Sequence, residues 1–190
     1  MDIFFLASVA VDKGLRDSYK CIVKILESLE NTVSAKHSLT LPSDILKLTQ
    51  AENEKRAKEL LKEMLRSDCV VFEGTKATTG GGYYLSSALQ HGIPVLYLSQ
   101  EEYKGLYLAS SNRLLKIKQY NSDDLVGLKK IIVDFLKFTD KKKLDNRFNL
   151  MMSDSMDVFL DRMSKDYGIS KADFIRDLIY REMEEKQSGR

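Results

Sequence analysis

The sequence predicts an α/β protein, a Rossmann-like five-stranded parallel sheet with flanking helices, followed by a small strand–helix–helix unit. Three observations predict it. Short apolar runs alternate with helical patterns across residues 1–138, as in a parallel sheet covered by helices. The polar, charged stretch TDKKKLDN at 139–146 then interrupts the pattern as a linker. Residues 147–190 hold one alternating segment and two amphipathic helices, too little to close a core alone. That unit must pair with a copy of itself.

In order, Ile3–Ala7 is the first strand, and a helix from about Leu15 to Glu30 turns Ile22, Val23, Ile25, Leu26 and Leu29 inward. Thr32–Lys36 forms a second strand, and the segment after it is polar and irregular. Ala57, Leu60, Leu61, Met64 and Leu65 share one helical stripe. Cys69–Phe72, Ile93–Leu98 and Leu114–Gln119 complete the five strands. Asp123 caps a closing helix with Leu128, Ile131, Ile132 and Phe135 facing inward.

Composition narrows the function classes. Hydrophobic residues at 43%, charged residues at 31% and a net charge of +2 suit an ordinary soluble protein and argue against gross electrostatic binding to membranes or nucleic acid. No apolar run approaches the roughly 20 residues of a membrane span. MDIFFLASVA has no basic stretch before it and reads as a core strand, not a signal peptide. Cys21 and Cys69 lie far apart in apolar settings, as reduced thiols of a cytoplasmic protein. With only those and His37 and His91, neither a metal nor a cofactor is expected.

The stretch from Asp68 to Ser99 carries the chemistry. A strand ends at Glu73, three glycines follow at Gly80, Gly81 and Gly82, and a helix begins near Tyr83. Glycines there let a ligand approach amides at a helix N-terminus, beyond the carboxyl ends of the strands. The alternative is a tight turn with no ligand. Together with FFLASVA, TVSAKH and HGIPVLYL, this stretch resembles the nucleoside 2-deoxyribosyltransferases and related deoxynucleoside monophosphate N-glycosidases over most of residues 2–138. The resemblance implies an oligomeric protein whose site binds a nucleoside or nucleotide through Ser8, His37, Thr78, the three glycines and Tyr84. It also exposes departures. The position of the family's nucleophilic Glu is Tyr84, that of an Arg after the phosphate loop is Ala10, and that of an active-site Asp falls near Leu60, beside Glu59. A phenol is a poor substitute for a carboxylate nucleophile. Glu73 is the nearest displaced carboxylate, but as a strand's last residue it reads as structural. Such a site has donors but few charges, favouring an uncharged nucleoside or a phosphate placed differently. Tyr103, Tyr107 and Tyr120 read as core or interface, and Ser110, Ser111 and Asn112 fall where that family borrows a polar residue from a neighbouring subunit.

Between Arg147 and about Glu184, Phe148, Leu150 and Met152 alternate with Arg147, Asn149 and Met151. Met156, Phe159, Leu160 and Met163 then recur at i, i+3, i+4, i+7 up to a stop at Gly168, and Ser170 caps a second helix with Asp173 three residues on. This order resembles the ribbon-helix-helix DNA-binding family. The resemblance implies a homodimer or higher oligomer in which Arg147, Asn149 and Met151 face bases while Ser170 and Lys171 meet a phosphate. Residues 139–190 carry 11 basic and 11 acidic side chains, so a pure dimerisation module is the alternative. The leading expectation is a cytoplasmic DNA-binding regulator with a non-catalytic nucleoside- or nucleotide-binding domain. The rivals are a transferase or N-glycosidase with an oligomerising tail, and a protein-binding scaffold.

Overall fold

The computed structural model describes residues 1–45, 47–76, 78–102, 112–140 and 148–188. The chain divides into two compact units, Met1–Lys143 and Leu144–Arg190.

In the first unit, β1 (Asp2–Ala7) is apolar on both faces because helices cover both. Asp12 begins α1 (Lys13–Ser28), accepting a hydrogen bond from the Leu15 amide at 2.9 Å. β2 (Thr32–Ser34) is short, and two single-turn helices follow it, α2 (Lys36–Leu39) and α3 (Pro42–Ile45). The irregular segment expected there is therefore partly helical. A reciprocal capping box of Thr49 and Glu52 opens α4 (Gln50–Met64). β3 (Cys69–Glu73) leads to α5 (Thr79–Gln90), then β4 (Val95–Ser99) and β5 (Leu115–Gln119). α6 (Leu125–Asp140) closes the unit. Asp124, rather than the expected Asp123, takes the first-turn amide, that of Gly127, at 2.8 Å.

All five strands run parallel in the order β2-β1-β3-β4-β5. Strand alternation splits the core in two. Ile3, Phe5, Val71 and Leu98 pack under α1 and α6, while Phe4, Leu6, Phe72 and Tyr97 pack under α4 and α5. The chain leaves β1 toward one edge and reaches β3 on the other side. The β1/β3 boundary is thus the switch point where such sheets take ligands.

In the second unit, Ser153 caps α7 (Asp154–Tyr167), which ends at Gly168 with φ 63°, the left-handed stop the sequence predicts. Ser170 receives the Asp173 amide at 3.1 Å and starts α8 (Lys171–Ser188). Phe174 packs between Phe159 and Tyr167, with ring centroids 6.3 and 5.8 Å away. The expected strand is not formed: residues 148–153 are irregular, and Met151 is 95% exposed. A strand's backbone needs a neighbour to bond with, and a single chain supplies none. Arg147 lies outside the described residues, as do 141–146 of the expected linker.

Candidate functional site

A cavity of about 330 Å³ opens at the β1/β3 boundary. Six of the seven residues expected to hold a ligand, Ser8, His37, Thr78, Gly80, Gly81 and Tyr84, line it. The seventh, Gly82, does not. The glycines form no turn before the helix; they lie within its first turn. Gly81 is required by packing, since a Cβ there would come within 2.7 Å of the Phe72 ring. A Cβ at Gly82 would meet nothing within 4 Å.

Thr78 is the N-cap of α5, with its Oγ1 accepting the Gly81 amide at 3.1 Å and its carbonyl the Gly82 amide at 3.0 Å. These two amides are taken, leaving those of Thr79 and Gly80 in the first turn without an intrahelical acceptor; of the two residues, Gly80 lines the cavity. Across the cavity, Ser8 sits in a loop held from both sides. The buried Ser38 hydroxyl receives the Ala7 amide at 2.9 Å, and Arg16 Nη2 donates to the Val9 carbonyl at 2.6 Å.

His37 lies just past β2, in α2, with its ring stacked on Phe4 at 4.5 Å between centroids. It is only 9% exposed, and its Nε2 has no hydrogen-bond partner. Burial, reinforced by the nearby Arg56 charge and opposed by the Phe5 carbonyl, lowers its pKa to about 4. The ring is neutral at pH 7. Tyr84 is the residue that the sequence resemblance sets at the nucleophile's position. Its hydroxyl donates to the Ala57 carbonyl at 3.2 Å, tying α5 to α4, and burial raises its pKa, with Arg56 opposing. The phenol is therefore neutral at pH 7 and engaged as a donor.

Of the α4 wall, formed by Asn53, Arg56, Ala57 and Leu60, sequence reasoning placed Leu60 at the site and missed the other three. A signal for it existed: Arg56 precedes Leu60 by four residues, so both lie on one helix face. Asn53 is committed to the Leu48 and Thr49 carbonyls at 3.3 and 3.2 Å. Arg56 Nη2 reaches the His37 carbonyl at 3.2 Å.

Glu73 is not a displaced carboxylate for this cavity. Phe72 lines the cavity, so its neighbour Glu73 points to the opposite face of the sheet. There Glu73 Oε1 accepts from Tyr120 at 3.2 Å and from the Thr75 hydroxyl. Oε2 is buried without a partner. Burial pushes its pKa up, despite hydrogen bonds from Thr75 and Tyr120 that pull it down. Glu59 is exposed, and no carboxylate is among the described residues lining the cavity. Tyr120 is core, whereas Tyr103, Tyr107, Ser110 and Ser111 lie outside the described residues. Asn112 accepts the Leu114 amide at 2.9 Å.

In the second unit Asn149 and Met151 are exposed. Ser170 Oγ donates to the Asp173 carboxylate at 2.6 Å while capping α8. Lys171 is held by Asp157 at 2.6 Å and Asp161 at 2.8 Å, so its charge is already neutralised. Among the described residues, no group of three His, Cys, Asp or Glu side chains could hold a metal, and no helix is long and apolar enough to cross a membrane.

No family model matches the chain. A Methanosarcina mazei protein named "Putative 2'-deoxynucleoside 5'-phosphate N-hydrolase 1" is 30% identical over 139 residues, 71% of this chain and 83% of its own length. A Methanosarcina barkeri protein of the same name is 29% identical over 136 residues, 70% of this chain and 84% of its own. Among solved structures, a Clostridium botulinum CMP N-glycosidase superposes with a TM-score of 0.50 at 14% identity, over 70% of this chain and 99% of that one. A 2-deoxyribosyltransferase from Bacillus psychrosaccharolyticus gives 0.53 at 16% identity, over 68% and 90%. The two structures share the fold; the Methanosarcina mazei relative shares enough sequence to decide kinship. The chain belongs to the 2'-deoxynucleoside 5'-phosphate N-hydrolase family.

Proposed function

We propose that the α/β unit binds a nucleoside or nucleotide in this cavity without cleaving it, and that paired C-terminal units bind DNA under its influence. The observation that carries the first half is a cavity at the sheet's switch point with Tyr84 where the family's nucleophile would stand and no carboxylate in its described lining. Ser8, Thr78, the Gly80 amide and the His37 ring supply polar groups, while Phe4 and Leu6 supply apolar ones. Removing the attacking group leaves binding without chemistry.

The second half is supported by apolar surface. In the C-terminal unit only Leu160 and Phe174 are buried among the described hydrophobic residues, while Phe148, Val158 and Ile179 are 84%, 68% and 55% exposed. A second copy that paired the 147–152 segments would cover such side chains and present Arg147, Asn149 and Met151 to a major groove. Lys171 adds little, so the phosphate contact falls to the Ser170 hydroxyl and the α8 N-terminus.

A melting-temperature panel of deoxynucleosides and their monophosphates tests the binding. At 100 times its Kd a ligand adds about 2.7 kcal/mol of stability, a readable upward shift. No shift from any panel member overturns the binding reading. Fluorescence anisotropy on DNA from upstream of the protein's own gene tests the regulator. Salt-dependent binding is expected, and its absence in a folded dimer overturns that half. A second reading, an N-hydrolase acting on nucleotides, is favoured by the names of the Methanosarcina relatives. It requires a carboxylate from outside the described lining.

A further inference from the structure

Arg56 is the only charged side chain among the described residues lining the cavity. It projects from α4, which the expectation of a site with few charges did not include. The guanidinium has five N–H donors, and one hydrogen bond, to the His37 carbonyl, is found for it. No ion pair to Arg56 is present among the described residues. The α4 carboxylate one residue from Leu60, Glu59, is exposed. A cation half-buried in a largely apolar cavity, without an anionic partner, has lost hydration that the one carbonyl only partly replaces. A second observation points to the same place. His37, whose carbonyl Arg56 holds, is itself nine-tenths buried with Nε2 unsatisfied, and the Arg56 charge helps keep its ring neutral. A bound anion would complete both groups, accepting from the guanidinium and, as a monoanionic phosphate, donating a hydrogen bond from its P–OH to the neutral imidazole nitrogen.

We propose that Arg56 is a specificity-determining residue that holds the phosphate of a nucleoside monophosphate, moving the anion subsite from the loop after β1, where Ala10 stands, to the α4 wall. This rests on the binding reading above. Arginine suits the task because its planar fork matches two phosphate oxygens at once. The cavity selects the phosphorylated form over the parent nucleoside.

The test is isothermal titration of the full chain with each deoxynucleoside 5'-monophosphate, its parent deoxynucleoside, and inorganic phosphate alone. The monophosphate is expected to bind at least about tenfold more tightly than the nucleoside. Arg56→Met should erase that preference, bringing monophosphate affinity down to that of the nucleoside in the same variant, and Arg56→Lys should keep part of it. Circular dichroism melting of each variant confirms that the fold survives. Nucleoside binding with no monophosphate preference, or a preference that survives Arg56→Met, overturns this inference and leaves the binding reading standing. Inorganic phosphate binding as tightly as the monophosphates also overturns it, because the site then recognises free anion. Failure of every nucleoside and nucleotide to bind overturns the binding reading instead.

Discussion

Gly81 and Gly82 adjoin in sequence yet meet different surroundings. Gly81→Ala forces a methyl against Phe72 and should cost about 1–3 kcal/mol of stability along with ligand affinity. Gly82→Ala should be neutral or stabilising by up to about 1 kcal/mol, because a helical glycine with open space gains from the loss of backbone freedom. Urea unfolding of the two variants separates them. Three glycines in a row read as a turn, and only the position of the Thr78 cap reveals that they are helical. Glu73 supplies a second prediction at this scale. Its pKa is raised in the folded state, so between its ordinary value of 4.5 and the raised one the folded protein holds the extra proton. Its contribution to stability is therefore fully present below about pH 4.5 and is lost as pH rises through the folded pKa. Glu73→Gln should remove that loss, so its stability relative to the native chain should grow from pH 5 to pH 8. A constant difference across that range would show that the carboxyl is not held protonated. The structural role of Glu73 followed from its place at a strand end; its burial against Tyr19 and Tyr120 did not, because those partners come from distant segments.

At the scale of elements, the strands and long helices were legible because their apolar residues keep the periods of a sheet covered on both faces and of helices packed on it. Boundaries shifted where capping decides, by one residue at Asp124 and by four at the start of α5, which Thr78 caps. Arg56 stayed hidden because KRAKE reads as a solvated helix face until Leu60 is placed beside the cavity. The strand expected at the start of the C-terminal unit is not formed across 148–152 for a different reason: a lone segment has no backbone neighbour to bond with. The helix that follows makes its own predictions. Ser170→Ala should lower the stability of the α7–α8 pair by about 1 kcal/mol through loss of its cap, read from the melting of the C-terminal unit's helical signal. Lys171→Ala should leave the salt dependence of DNA binding nearly unchanged, because Asp157 and Asp161 already neutralise the ammonium. A fall in the salt slope of about one would instead assign Lys171 to a phosphate.

At the scale of the whole molecule, a family fold associated by name with nucleotide N-hydrolysis carries a second unit that buries little of its own apolar surface. For the ligand to act on DNA binding, it must have different affinities in the free and DNA-bound states, and DNA must then change ligand affinity by the same factor. The position of the pocket was legible from the residues shared with the family. Its lining on the α4 side, and hence its charge, was not. The central claim is that this pocket holds a nucleotide without breaking it. It is tested most directly by chromatography after prolonged incubation of the protein with deoxynucleoside monophosphates that raise its melting temperature. The account predicts that the nucleotide is recovered intact with no free base. Release of base by the native chain, abolished in Tyr84→Phe or Arg56→Met, would contradict it and make the chain an N-hydrolase.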